Sequence, residues 1–77
     1  MRLGREGLVI FNEIIECIDG NEANLTEWQQ QFISDYSEKV ANWDEGAYIT
    51  SKQLVQVNNI AEALGCEAIS EEVLDHD

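Results

Sequence analysis

Apolar residues recur along three stretches of the chain at the three- and four-residue spacing of amphipathic helices. They predict helices over about residues 7–19, 27–43 and 51–64, and a short turn of helix at about 70–74. We therefore expect an all-α fold: a small three-helix bundle with a short additional C-terminal helical turn, forming one domain over residues 1–77.

The first predicted helix contains a stretch with two interpretations. Residues 8–11 read Leu-Val-Ile-Phe, a run that suits a short buried strand as well as a helix. The apolar residues up to Ile18 nevertheless occupy about half of a helical wheel, opposite acidic and amide side chains. Helix is the favoured prediction, and a strand is the alternative.

The second and third helices carry start signals. Thr26 is followed three residues later by Gln29, and Thr50 by Gln53, so each pair predicts a capping box. Glycines then predict where the chain stops or reverses, and they are Gly20, Gly46 and Gly65.

Large aromatic residues lie along one face of the second helix: Trp28, Phe32, Tyr36 and Trp43. Tryptophan and tyrosine are frequent at binding hot spots, so this face could bind a partner. A thin domain also needs its largest side chains for burial, which makes a core role the favoured prediction. Trp43, at the helix end, is expected to be partly exposed.

The net charge of -12 limits the kinds of partner that the chain can bind. With 44% hydrophobic residues the chain is expected to fold, and its acidity disfavours direct nucleic-acid binding. The charge could simply keep a small protein soluble, or it could attract a basic protein partner. The third predicted helix is the acid-poor region, and its amides Gln53, Gln56, Asn58 and Asn59 form a neutral face.

Cys17 and Cys66 can form at most one disulfide and lie in no metal-binding motif. We expect reduced thiols in a cytoplasmic protein. The apolar stretch after the basic start is interrupted by polar residues, so a signal peptide is not expected, and no run is long enough for a membrane span.

The turn after the second helix invites comparison with a calcium-binding EF-hand loop. Its glycine is misplaced, because Ala47 stands where the loop needs glycine, and Gln53 replaces the terminal glutamate. Glu13 and Glu16 share a helix face but are typical of a solvated surface, and His76 has no nucleophile to activate. No metal, no cofactor and no enzymatic activity are expected.

The segment Leu-Thr-Glu-Trp at residues 25–28, with Phe32 and Ile33, precedes Thr-Ser-Lys-Gln-Leu at residues 50–54. This arrangement resembles a helical-pair pattern of small phage and prophage proteins, although Gln29 stands where an acid is usual. The resemblance covers about half of the chain. It implies a phage-type accessory protein, and small acidic proteins of that kind often inhibit host machinery by occupying basic, nucleic-acid-binding surfaces.

Together these patterns predict a non-catalytic protein-binding module, a nucleic-acid mimic that inhibits or modulates a host or defence protein. The expected contact residues form an acidic face: Glu13, Glu16, Glu27, Asp35, Glu38, Asp44 and Glu45. The alternative is a self-associating structural or regulatory domain, a homodimer rather than a monomer. Its contacts would lie on the first helix at Val9, Ile10 and Ile14.

Overall fold

Three α-helices dominate the computed structural model, which describes residues 1–76. They are α1 (Gly4–Ile18), α2 (Glu27–Trp43) and α3 (Ser51–Leu64). Short 3-10 turns follow each of them, at Glu22–Asn24, Asp44–Gly46 and Glu71–Val73. The all-α fold is thus confirmed, residues 8–11 are helical rather than a strand, and α1 begins three residues earlier than predicted.

Both predicted capping boxes are formed. The Thr26 hydroxyl accepts a hydrogen bond from the Gln29 backbone N–H (3.1 Å), and the Gln29 side chain accepts one from the Thr26 backbone N–H (2.9 Å). Thr50 and Gln53 repeat the arrangement with the same distances at the start of α3. Each box satisfies two backbone donors that a helix start leaves without an intrahelical partner.

The helix ends agree with two of the three glycine predictions. Gly20 and Gly65 adopt the left-handed backbone conformation with φ of 83° and 73°, and Gly65 caps α3. The prediction that Gly46 makes the reversal after α2 is wrong. Asp44 takes a positive φ instead, with φ 49° and ψ -128°, while its backbone N–H still bonds to the Val40 carbonyl.

Three extended segments far apart in sequence pair side by side at one end of the bundle. Arg2 lies in the centre and forms antiparallel bridges with Tyr48 and Asp75. The Arg2 and Asp75 backbones exchange hydrogen bonds of 2.9 Å in both directions, and the Ile49 N–H donates to the Met1 carbonyl at 2.9 Å. Chain ends commonly fray, but these bonds hold Asp75 against Arg2. Asp77 lies outside the described residues.

The core contains the predicted apolar stripe of α3 and several residues from the extended segments. Leu3 and Ala47 are each no more than 1% exposed, although no helical periodicity marks them. Ile69, in the segment after α3, is 1% exposed as well. The largest fully buried side chain is Phe11, whose ring meets that of buried Tyr36 edge to face at a centroid distance of 5.5 Å. The bundle therefore packs around α1 and the interior face of α2.

A disulfide joins Cys17, near the end of α1, to Cys66, directly after the Gly65 cap of α3. Their Cα atoms lie 6.9 Å apart, across a sequence separation of 49 residues. The expectation of two reduced thiols is thus wrong for this structure, because spacing along the sequence does not reveal that two helix ends meet. Within the described residues, no helix is long and apolar enough to cross a membrane.

Candidate protein-binding surface

All seven acidic residues that the sequence singled out are exposed, but they lie on two different helices. Glu27, Asp35 and Glu38 follow one edge of α2 at helical spacing, and the 3-10 turn after α2 adds two more acids. At 1.5 Å of rise per residue, Glu27 and Glu38 stand about 16 Å apart along the helix. We call this group the acidic ridge; its members are Glu27, Asp35, Glu38, Asp44 and Glu45.

Glu13 and Glu16 do not extend the acidic ridge. They lie on α1, on the side of the helix opposite its buried residues Phe11 and Ile14. The two carboxylates are one turn apart, so they form a small acidic surface of their own. The structure therefore divides the predicted acidic face into a five-residue ridge and a separate pair.

The side chains around the acidic ridge make contacts within α2. Asp35 accepts a hydrogen bond of 3.0 Å from the Gln31 side chain, one turn earlier. The Lys39 ammonium lies 5.9 Å from the centroid of the Tyr36 ring, in cation–π geometry. Lys39 thus faces the aromatic side of α2, and the ridge keeps its negative character.

An aromatic row borders the acidic ridge on α2, and it is formed by Trp28, Phe32 and Tyr36. The Trp28 and Phe32 rings stack at a centroid distance of 5.5 Å and an interplanar angle of 9°. The Phe32 and Tyr36 rings follow at 6.2 Å and 4°. Only Tyr36 is buried; Phe32 is half-buried and Trp28 is 56% exposed. The core prediction is therefore wrong for Trp28, which lies in the first turn of α2, before the buried residues of that helix.

Trp43, at the other end of α2, is 66% exposed, more than the partial exposure expected for it. With Gly46 and Tyr48 it lines a cleft of about 260 Å³ whose other walls are Arg2 and Lys39. The Tyr36 hydroxyl donates a hydrogen bond of 2.9 Å to the Tyr48 carbonyl beneath this cleft. Burial raises the pKa of Tyr36 to about 12, so its hydroxyl stays protonated and keeps donating.

Sequence patterns missed this cleft because it depends on pairing between distant segments. Arg2 reaches Tyr48 through the antiparallel bridge that joins residues 46 positions apart in sequence. The signals available beforehand were the basic first residues and the expected exposure of Trp43. Neither indicates that the two would meet.

The residues predicted as dimer contacts do not form one surface. Ile14 is fully buried, Ile10 is half-buried and Val9 is 53% exposed. Ile14 is therefore part of the protein's own core and is not available to a second copy. Val9 alone provides a substantial exposed apolar side chain on this helix.

The turn compared with an EF-hand folds as the 3-10 turn Asp44–Gly46. His76 lies near a backbone carbonyl, with its Nε2 atom 2.9 Å from the Glu71 oxygen. Among residues 1–76, histidine, cysteine and acidic side chains form no group of three or more that could hold a metal ion.

Comparison of this chain with protein-family models, with curated proteins and with solved structures finds no match.

Proposed function

We propose that the protein is a non-catalytic binding module whose acidic ridge docks on a basic surface of a protein partner. The observation that carries this function is the ridge itself: five exposed carboxylates along α2 and the turn that follows it. Clustered charge of one sign attracts a complementary surface over distance and speeds encounter. Binding of this kind needs no pocket.

The net charge of -12 supports a partner of strongly basic character. Surfaces that bind nucleic acid are rich in lysine and arginine, so they are strongly basic. Together with the resemblance to small phage and prophage proteins, this favours a phage-type accessory role. The module would inhibit or modulate a host or defence protein by occupying the site that otherwise binds nucleic acid.

A host nucleic-acid-binding partner would place the protein in the cytoplasm, where disulfides are rarely kept. Reduction of the Cys17–Cys66 bond removes no ridge charge, because the ridge lies on α2 and the bond joins the ends of α1 and α3. It is expected to lower the stability of the fold that presents the ridge.

A pull-down from host lysate with a matched pair of variants tests this function. The first variant removes three ridge charges through Glu27→Gln, Asp35→Asn and Glu38→Gln. The control variant removes three exposed charges elsewhere through Glu62→Gln, Glu67→Gln and Glu72→Gln, so both variants carry the same net charge. Circular dichroism establishes that both remain folded.

We expect wild-type protein and the control variant to capture the same partner at about 0.05 M salt and to lose it at about 0.5 M, because salt screens exposed charges. The ridge variant is expected to bind about tenfold more weakly, since each exposed charge pair contributes about 0.5 kcal/mol. Equal capture by both variants, or capture that does not change with salt, would contradict the proposed function.

A further inference from the structure

The aromatic row ends in an exposed ring at the start of α2. Trp28 is 56% exposed, and it stacks on Phe32 at a centroid distance of 5.5 Å and an interplanar angle of 9°. Phe32 in turn stacks on buried Tyr36 at 6.2 Å and 4°. The inner rings therefore support the Trp28 indole while more than half of the residue stays open to solvent. A contact residue that is already ordered loses little conformational freedom on binding.

Carboxylates border the aromatic row. Glu27 is exposed and lines the same open depression as Trp28, with a volume of about 520 Å³. Asp35 is also exposed and lines a second depression of about 180 Å³ beside Phe32. The Gln31 side chain donates a hydrogen bond of 3.0 Å to Asp35 and so helps to hold this carboxylate in place. The exposed rings of the row therefore lie beside negative charge.

The aromatic row already holds a cation at its inner end. The Lys39 ammonium lies 5.9 Å from the centroid of the Tyr36 ring. Lys39 follows Trp28 by eleven residues, or about 16 Å along the helix, so this cation faces Tyr36 rather than Trp28. Tryptophan is the aromatic side chain that attracts a cation most strongly. The outer end of the row therefore offers an indole and a carboxylate to a cation from a partner.

The acidic surroundings of Trp28 disfavour other occupants. A second copy of this chain would bring two acidic ridges together, and a nucleic-acid strand would bring a row of phosphates, so both would be repelled. An uncharged apolar side chain placed on Trp28 would shield Glu27 from water without pairing its charge, which is unfavourable. A cationic side chain with an apolar face meets both the ring and the carboxylate.

Arginine fits this description better than lysine. Its guanidinium group is planar, weakly hydrated and able to stack on an aromatic face while its N–H groups point outward to a carboxylate. The lysine ammonium is compact and strongly hydrated, so it loses more hydration when it lies against a ring. A flat indole with a carboxylate at its side therefore selects between two side chains of equal charge.

We propose that Trp28 and Glu27 bind an arginine side chain of the basic partner protein. The guanidinium lies flat on the exposed part of the Trp28 indole and donates hydrogen bonds to the Glu27 carboxylate. This inference rests on the proposed function, because the arginine belongs to the basic surface that docks on the acidic ridge. It adds a requirement for arginine at one point of that surface, which charge attraction alone does not impose.

Two peptides of equal charge test the proposal by NMR titration of the full chain. The probe is acetyl-Arg-Gly-Arg-Gly-Arg-amide, and the matched peptide carries lysine in place of each arginine. Backbone amide shifts of α2 give the dissociation constants at about 0.05 M salt, where exposed charges are weakly screened. Trp28→Leu keeps an apolar side chain on Phe32 but removes the indole. Trp43→Leu is the matched control, because Trp43 is an exposed tryptophan at the other end of the same helix.

We expect the arginine peptide to bind wild-type protein saturably, with a dissociation constant on the order of 1 mM. The lysine peptide should bind about threefold more weakly, because its ammonium groups stack less well on the indole. Trp28→Leu should abolish this preference, and Trp43→Leu should retain it. Glu27→Gln should reduce the preference, whereas Glu38→Gln, on the same ridge, should weaken both peptides alike. Circular dichroism establishes that each variant is folded.

Three results would overturn the arginine site. They are the absence of saturable binding up to about 10 mM arginine peptide, equal affinity of wild-type protein for the two peptides, and a preference for arginine that survives Trp28→Leu. Equal affinities that still fall when ridge charges are removed would reject the arginine site and leave ridge docking intact. The proposed function fails on a different result, which is partner capture that responds neither to salt nor to the ridge charges.

Discussion

Asn58 anchors the segment that follows α3 by pairing its side-chain amide with one buried residue. Its Nδ2 group donates a hydrogen bond of 2.9 Å to the Ile69 carbonyl, and its Oδ1 atom accepts one of 2.8 Å from the Ile69 N–H. Ile69 is 1% exposed. Asn58→Ala therefore removes both hydrogen-bond partners of a buried residue's backbone.

The expected loss can be worked from these two bonds. Each contributes about 0.5–1.5 kcal/mol net, so we predict a decrease of about 2 kcal/mol in the free energy of unfolding. Asn59→Ala is the matched control, because Asn59 is an exposed neighbour in the same helix and gains the same helix propensity from alanine. The difference between the two variants isolates the bonds to Ile69.

Urea unfolding followed by tryptophan fluorescence measures this difference. For a domain of this size, about 2 kcal/mol corresponds to a melting temperature lower by about 8–16 °C. If Asn58→Ala and Asn59→Ala unfold at the same urea midpoint, the Asn58 bonds do not stabilise the fold. The neutral amide face of α3 would then be a candidate binding surface.

Three further predictions concern stability. Reducing the Cys17–Cys66 disulfide should lower the free energy of unfolding by about 4 kcal/mol, because it closes a loop across 49 residues; identical urea midpoints with and without reductant would refute this. Asp44→Gly should stabilise by about 1 kcal/mol by relieving a strained positive φ, whereas the control Glu45→Gly should destabilise by about 0.5–1 kcal/mol; thermal melts compare them, and the reverse order would refute the strain. Burial raises the pKa of Tyr36 to about 12, whereas tyrosine in the unfolded chain has a pKa of about 10. The contribution of Tyr36 to the free energy of unfolding is therefore fully present below about pH 10 and is lost as the pH rises through about 12. Urea unfolding across that pH range should show a smaller decline in Tyr36→Phe, and an unchanged decline would exclude Tyr36 as its source.

Local signals in the sequence predict the helices well. The capping boxes at Thr26 and Thr50 act over three residues, so the residue types alone determine where α2 and α3 begin. The apolar stripe of α3 likewise follows helical periodicity, and Val55, which falls off it, is exposed. These features depend on neighbours in sequence, which is why they can be read without a structure.

Features that depend on distant contacts could not be predicted in this way. The burial of Leu3 and Ala47 arises from segments that pack only after the helices assemble. Trp28 fits the apolar face of α2, yet α1 and α3 do not extend over it, so periodicity alone overestimates its burial. The cleft that Arg2 and Tyr48 line also depends on a distant contact, because these two residues are 46 positions apart in sequence.

The most direct measurement of ridge binding is the dissociation constant of the captured partner over a series of salt concentrations. It should be determined for wild-type protein and for the variant that combines Glu27→Gln, Asp35→Asn and Glu38→Gln. We predict that wild-type affinity falls steeply with salt, and that the variant binds about tenfold more weakly at low salt with a shallower dependence. Equal affinities with equal salt dependence for the two proteins would contradict the acidic ridge as the binding surface.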